Sequence, residues 1–262
     1  MTTSQATIDG LLLDMDGVLT VSWEPLPGAV AAFARLRAAG LPLRVLTNTT
    51  GRSRAALAAG LRDSGFAVAD HEVISAAVAA GDLLRATRPG RRVFLLGDAQ
   101  ADDLAGVRLV GLDDEPEIVL IAGADESFAF ETFNRVYRAL LDGAELVAMH
   151  HTYAWLTTEG ICLDSGAYVA GLERALDREA VVTGKPSPEF FRAGLGALGL
   201  TADRVAMVGD DIVGDVLAAQ AAGITGVLVR TGKFRPETLE RAAGTPDHVV
   251  GSICDVPELL GL

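Results

Sequence analysis

Cysteine is scarce: Cys162 and Cys254 are the only two in 262 residues. They lie far apart without metal-ligand spacing, which argues against a disulfide framework and a zinc site and for a reducing, cytoplasmic setting. Positive charge is also short. Twenty-two basic against 35 acidic residues give a formal net charge of −13, with no basic stripe, so nucleic acid and anionic membrane are excluded as expected partners. An anionic substrate would need positive charge supplied by its own site. Lysine is nearly missing, since the basic residues are arginine except Lys185 and Lys233, and a compact ammonium among guanidinium groups draws attention to both positions. Long apolar runs are absent too, none approaching the ~20 residues that span a bilayer. The opening MTTSQATIDG lacks a basic stretch followed by an apolar one. Neither export nor membrane insertion is expected.

What remains is a chain with 50% hydrophobic residues, enough to fill one large core or two modest ones. Apolar runs of strand length alternate with helical stretches: IDGLLLD, AVAAFARLRAAG, LPLRVLTN, RAALAAGLRDSG, and later REAVVTG, PSPEFFRAGLGALGL, RVAMVGD, GDVLAAQAAG and TGVLVR. This alternation predicts an α/β fold, a doubly wound parallel Rossmann-like core covered on both faces. The interval between Asn48 and Lys185 far exceeds one crossover and carries its own alternation, from AAVAAGDLLRAT through RVFLL, EIVLIAG and ELVAMH to AYVAGLERAL. A second α/β domain is therefore expected as an insertion over residues 75–179, with residues 1–74 and 180–262 forming the core.

The stretch LLLDMDGVLT ends a buried-looking strand in two acids and a glycine. Other predicted core strands also end in polar residues: Thr47 and Asn48 after LRVL, Gly184 and Lys185 after AVVT, Asp210 and Asp211 after AMVG. Strand C-termini of a parallel sheet meet at one rim, where ligands bind. A lone acid after a strand is ordinarily a turn residue or helix cap, but several carboxylates at one rim repel one another unless a cation sits among them. A hard divalent ion such as Mg²⁺ answers this and keeps positions open for water and phosphate.

Other readings fail on detail. The D-x-D-G of this stretch is out of register for a calcium-binding loop, which would put Leu12 and Trp23 at ligand positions. GLGALG, Gly194 to Gly199, matches a dinucleotide fingerprint by letters but lies within a helical stretch. No P-loop or nucleophile-elbow pattern occurs.

The segments DMDGVLT, TNTT, GKPSPEFF and VGDDIVGD resemble, in order and spacing, the four motifs of the haloacid dehalogenase superfamily of phosphohydrolases. An α/β insertion between the second and third resembles the class containing nitrophenylphosphatases and phosphoglycolate phosphatases. TNTT, GDDIVGD and VRTGKFRP further resemble the branch that includes phospholysine phosphohistidine inorganic pyrophosphate phosphatase. The resemblance implies a core of haloacid dehalogenase type with an inserted cap domain that governs specificity. It makes Asp14 a nucleophile that takes a phosphoryl group as aspartyl phosphate, and Asp16 the acid and then the base. Mg²⁺ would be held by Asp14, the carbonyl of Asp16, and Asp210, supported by Asp211 or Asp215. Thr47 and the amide of Asn48 would hold phosphate oxygens, and Lys185 would neutralise them. Asn48 reads equally well as a helix cap, and Lys233 is left structural.

Within the insertion, MHHTYAWLTTEGICLDSGAY places Ser165 and Gly166 after a small-residue turn at a helix start, which makes them substrate-binding candidates. His150 and His151 form a pair without further ligands, and Tyr153 and Trp155 read first as packing. The expected substrate is a small phosphorylated compound, and proteins of this kind often form homodimers through the cap. The alternatives are a phosphotransferase or mutase on the same scaffold, or an idle phospholigand-binding protein.

Overall fold

Leu11, Leu12 and Leu13 occupy the middle of a sheet and are fully buried. The computed structural model describes residues 7–157 and 160–262. It divides into two units, one of Met1–Thr47, Ala55–Ile74 and Pro188–Leu262, the other of Asn48–Arg54 and Ser75–Ser187.

The first unit is built on six strands in the spatial order His248–Val250, Thr225–Val229, Val205–Gly209, Gly10–Asp14, Leu43–Thr47 and Val73–Ser75. Gly10–Asp14 pairs in parallel with both neighbours, Leu11 lying opposite Leu43 on one side and Ala206 on the other. Side chains alternate across this strand. Leu11 and Leu13 join a core with Phe33 and Leu36 of helix Ala29–Ala38 and Leu57 and Leu61 of helix Arg54–Asp63. Leu12 points the other way, and helix Pro188–Leu198 comes so close there that a Cβ on Gly194 would lie 2.9 Å from Leu12 Cδ2. Gly194 of GLGALG thus serves helix-on-sheet packing. From Gly10–Asp14 the chain proceeds to the strand on one side and later returns on the other, so the crevice between Gly10–Asp14 and Val205–Gly209 is a topological switch point.

The second unit has its own five-stranded sheet, ordered Val181–Val182, Glu145–Ala148, Ile118–Ile121, Arg92–Leu96, Arg108–Leu109, with parallel pairing throughout. Ile118 and Leu120 face one apolar cluster, Val119 and Ile121 another. Helices Ala76–Thr87, Phe130–Leu141 and Ser165–Leu176 and an antiparallel hairpin of Ala154–Thr157 and Gly160–Leu163 complete it.

One expectation needs correction. REAVVTG reads as a core strand, yet Val181 and Val182 pair with Val147 and Ala148 of the second unit's sheet. The chain accordingly rejoins the first unit at Pro188 rather than near residue 180, and Asn48–Arg54 also belongs to the second unit. A two-valine strand is apolar enough for either sheet, and its sequence does not specify the partner. Among the described residues no helix is long and apolar enough to cross a membrane.

Candidate active site

Asp14 ends the central strand of the first unit's sheet, and Asp210 follows the adjacent strand, so the two flank the switch point. A third carboxylate joins them from the segment Ile212–Leu217, which winds as a π-helix with Val216 N–H donating to the Asp211 carbonyl at 3.2 Å. Wider turns of this kind recur at functional sites because they re-aim a side chain. Here the winding turns Asp215 inward. Gly209 permits the approach, since a Cβ there would lie 2.2 Å from Asp215 Cβ. Carboxylate oxygens of Asp14, Asp210 and Asp215 lie within 4.8 Å of one another, and all three residues are buried, 5%, 2% and 1% exposed.

Each carboxylate has defined backbone partners. Asp14 Oδ1 accepts from Met15 N–H at 2.8 Å, Asp215 Oδ2 from Asp211 N–H at 3.1 Å, and Asp210 Oδ2 from Lys233 N–H at 2.7 Å. Asp210 Oδ1 is buried with no hydrogen-bond partner among the described residues. Burial, and then the charges of Asp14 and Asp215, push the Asp210 carboxyl well above the usual carboxylate range, with Lys233 pulling the other way. Crowded, dry carboxylates with one oxygen unsatisfied fit a hard divalent cation, which supplies the missing charge and coordination.

Asp16 is exposed, two residues past the buried Asp14, on a turn in which Gly17 N–H donates to the Thr20 carbonyl at 2.7 Å and Gly17 adopts φ 87°. Asp211 lies beside the cluster, where its Oδ1 caps the π-helical segment by accepting from Val213 and Gly214 N–H at 3.0 and 2.9 Å. Thr47 ends its strand and is buried.

The second unit places Asn48 and Lys185 together. Asn48 Oδ1 accepts from Lys185 N–H at 2.8 Å, and Asn48 Nδ2 donates to the Lys185 carbonyl at 3.0 Å and to Thr152 Oγ1 at 3.2 Å. The side chain of Asn48 thus grips the Lys185 residue at both its N–H and C=O and is not a helix cap. Gly184 is required by proximity: a Cβ there would lie 2.5 Å from the Met149 carbonyl oxygen and 2.6 Å from Asn48 Oδ1. Lys185 itself is 5% exposed.

Ser165 and Gly166 open helix Ser165–Leu176, which Asp164 caps by accepting from Ser165 N–H at 2.7 Å. Both are buried, Ser165 Oγ has no hydrogen-bond partner among the described residues, and a Cβ on Gly166 would lie 2.5 Å from the His151 carbonyl carbon. His150 is buried, with Nδ1 accepting from Thr152 N–H at 3.3 Å and Nε2 3.9 Å from Asp164 Oδ2. His151 Nε2 lies 2.9 Å from Glu173 Oε2. Tyr153 is exposed, whereas the Trp155 side chain lies outside the described residues.

Two features go beyond the sequence reading. Asp215, expected with Asp211 as an alternative in a supporting shell, stands inside the carboxylate cluster itself, in a π-helical segment. The backbone of Lys233 anchors Asp210, and the available signal was that TGVLVR, a neighbouring strand of the same parallel sheet, is followed by the polar segment TGK.

Comparison with known proteins agrees with this geometry. The profile of haloacid dehalogenase-like hydrolases matches residues 11–111, and a related HAD-hydrolase-like profile matches residues 182–256. The chain is 37% identical to phospholysine phosphohistidine inorganic pyrophosphate phosphatase of Homo sapiens, over 97% of this chain and 95% of that protein. Among solved structures, a p-nitrophenyl phosphatase from Archaeoglobus fulgidus superposes with TM-score 0.89 at 32% identity, covering 97% of this chain and 99% of the other. Glycerol phosphate phosphatase from Mycobacterium tuberculosis in complex with magnesium gives TM-score 0.83 at 28% identity, covering 94% and 76%. With its carboxylates at the switch point and these relatives along nearly its whole length, the chain belongs to the haloacid dehalogenase superfamily of phosphohydrolases, in its nitrophenylphosphatase-like class.

Proposed function

We propose that this protein is a Mg²⁺-dependent phosphatase that hydrolyses a small phosphomonoester or related phospho-compound through an aspartyl phosphate on Asp14. The observation that carries the reading is the buried trio Asp14, Asp210 and Asp215, with Asp210 Oδ1 unpartnered among the described residues. Asp14, Asp210 and Asp215 would hold the ion together with the Asp16 carbonyl. Mg²⁺ bound there supplies positive charge that screens nucleophile and phosphoryl oxygens from each other.

In the first step a carboxylate oxygen of Asp14 bonds to phosphorus as the bond to the leaving oxygen breaks, and Asp16 gives that oxygen a proton. In the second, Asp16 takes a proton from water as the water oxygen bonds to phosphorus, releasing phosphate and restoring the Asp14 carboxylate. The exposure of Asp16 suits a group that must exchange protons, and the burial of Asp14 suits one that must stay anionic beside a cation. Thr47 and the Asn48 amide hold phosphoryl oxygens, and Lys185 offsets charge as it moves to the leaving group. The grip of the Asn48 side chain on Lys185 supports treating these two as one device. The solved relatives are named for p-nitrophenyl phosphate and glycerol phosphate, so the reading extends to small phosphoesters as a class.

The test is nitrophenol release from p-nitrophenyl phosphate with Mg²⁺, with EDTA, and with Asp14→Asn protein. Turnover that needs the metal and vanishes in the variant supports the reading. Turnover that survives EDTA or the substitution overturns it. If no sample turns over, Mg²⁺-dependent binding of beryllium fluoride decides, and its absence overturns the reading as well.

A further inference from the structure

We infer that the loop Thr231–Gly232–Lys233 is a positioning element for the cation site: it fixes Asp210 so that one oxygen is held by backbone and the other is left for the metal. The inference rests on the metal reading above and extends it to residues outside the four motifs.

The loop follows strand Thr225–Val229 and turns tightly, Phe234 N–H donating to the Thr231 carbonyl at 3.1 Å. Within the turn Lys233 N–H binds Asp210 Oδ2 at 2.7 Å. Two glycines press on the same oxygen. A Cβ on Gly232, φ 59°, would lie 1.9 Å from Asp210 Oδ2, and a Cβ on Gly17, φ 87°, would also lie 1.9 Å from it. The two backbones touch each other as well, since the Gly232 Cβ position is 2.5 Å from Gly17 Cα. Thr231 closes the arrangement by donating its hydroxyl to the Gly17 carbonyl at 2.5 Å. Oδ2 is therefore caged by one N–H and two bare Cα atoms, while Oδ1 has no hydrogen-bond partner among the described residues.

The cage has a physical purpose. Like charges on Asp14 and Asp215 would drive the Asp210 carboxylate to rotate away before a cation arrives. Holding Oδ2 blocks that rotation, so the ligand oxygen is oriented in advance, as supporting partners orient metal ligands elsewhere. The hydroxyl of Thr231 also ties the cage to the turn that carries Asp16.

The experiment uses the full chain and Mg²⁺ alone, titrated by calorimetry without substrate, with melting temperature in EDTA as the fold control. Thr231→Val keeps the shape and removes the hydroxyl, and it is expected to weaken Mg²⁺ binding about tenfold, as loss of a part-buried hydrogen bond that leaves a carbonyl unpaired does. Thr231→Ser is expected to restore affinity to within about twofold, because the donor returns. Gly232→Ala, which drives a methyl into Oδ2, is expected to weaken binding more than Thr231→Val. Steady-state rates at saturating Mg²⁺ should return toward wild type in Thr231→Val, whereas a merely structural role would lower the melting temperature in EDTA and leave Mg²⁺ affinity unmoved. Wild-type affinity in Thr231→Val, or failure of Thr231→Ser to restore it, overturns the inference while the metal reading stands. No Mg²⁺ binding by the wild type overturns both.

Discussion

The two units surround carboxylates in opposite ways. In the second unit Glu145 lies between Arg88, which holds it through both Nε and Nη2, and Arg91, whose Nη1 is 3.1 Å away, and the Arg88 hydrogen bond leads the effects that draw its carboxyl below the usual range. In the first unit burial, and then the charges of two neighbouring carboxylates, push Asp210 up. One acid is balanced by arginines, and at the other the pull of Lys233 does not offset burial and like charge. The unbalanced place is where charge from outside the polypeptide belongs, and that contrast separates a structural ion pair from a site.

The comparison breaks most severely if Asp14 is replaced. Asp14→Asn is expected to lower kcat by at least about 10³-fold, in the range seen for lost nucleophiles. The melting temperature in EDTA should stay level or rise, because one of three repelling charges is gone. A fall in both quantities would make Asp14 a structural residue.

Next in size is the effect of the ion. At a hundredfold excess over its Kd, Mg²⁺ is expected to stabilise the wild type by about 2.7 kcal/mol. Asp210→Asn should abolish that gain, read as the loss of a Mg²⁺-dependent shift in thermal melting. Asn48→Ala, which leaves both the N–H and the C=O of Lys185 without their partner, should reduce kcat about ten- to thirtyfold and change KM less. An equal loss in kcat and kcat/KM at unchanged melting temperature would place Lys185 in transition-state stabilisation.

The smallest effect sharpens the other side of the comparison. A carboxyl whose folded pKa is depressed contributes stability above its unfolded value, near 4.5 for Glu145, and loses it as pH falls through the folded value. Glu145→Gln should therefore cost about 1 kcal/mol or less at pH 7. The difference from wild type should shrink below pH 4.5 in denaturant titrations. A difference that grew on acidification would reverse the sign and remove Glu145 from the balanced class.

Much of this was legible in the sequence because the sheet imposes a simple pattern. LLLD reads as a buried strand ending at a rim, and VAMVGD repeats the signal, so Asp14 and Asp210 follow from hydrophobic runs alone. GLGALG was legible as a false dinucleotide fingerprint because it lies in a helical stretch, and Gly194 against Leu12 shows what its first glycine does instead. What was not legible depends on partners far away in the chain. Val181 and Val182 carry no mark of which sheet they join. Asp215 enters the cluster through winding rather than spacing, and the cage around Asp210 needs Gly17 and Gly232 to meet across most of the sequence. The hairpin Ala154–Thr157 with Gly160–Leu163 and the edge strand His248–Val250 also went unread, being too short to show a period.

The hydrogen bonds between Asn48 and Lys185 have a bearing on ancestry as well as chemistry. They join the residue where the chain first enters the second unit to one just before it finally leaves, with Ala55–Ile74 returning to the first unit in between. The loop so closed still contains helix Arg54–Asp63 and strand Val73–Ser75 of the first unit, and its closing entropy grows only slowly with the length inserted after them. Any folded unit with its ends so joined could stand in this position. The architecture is thereby a socket, in which the inserted part can be exchanged over evolutionary time while the acids at the switch point stay unchanged.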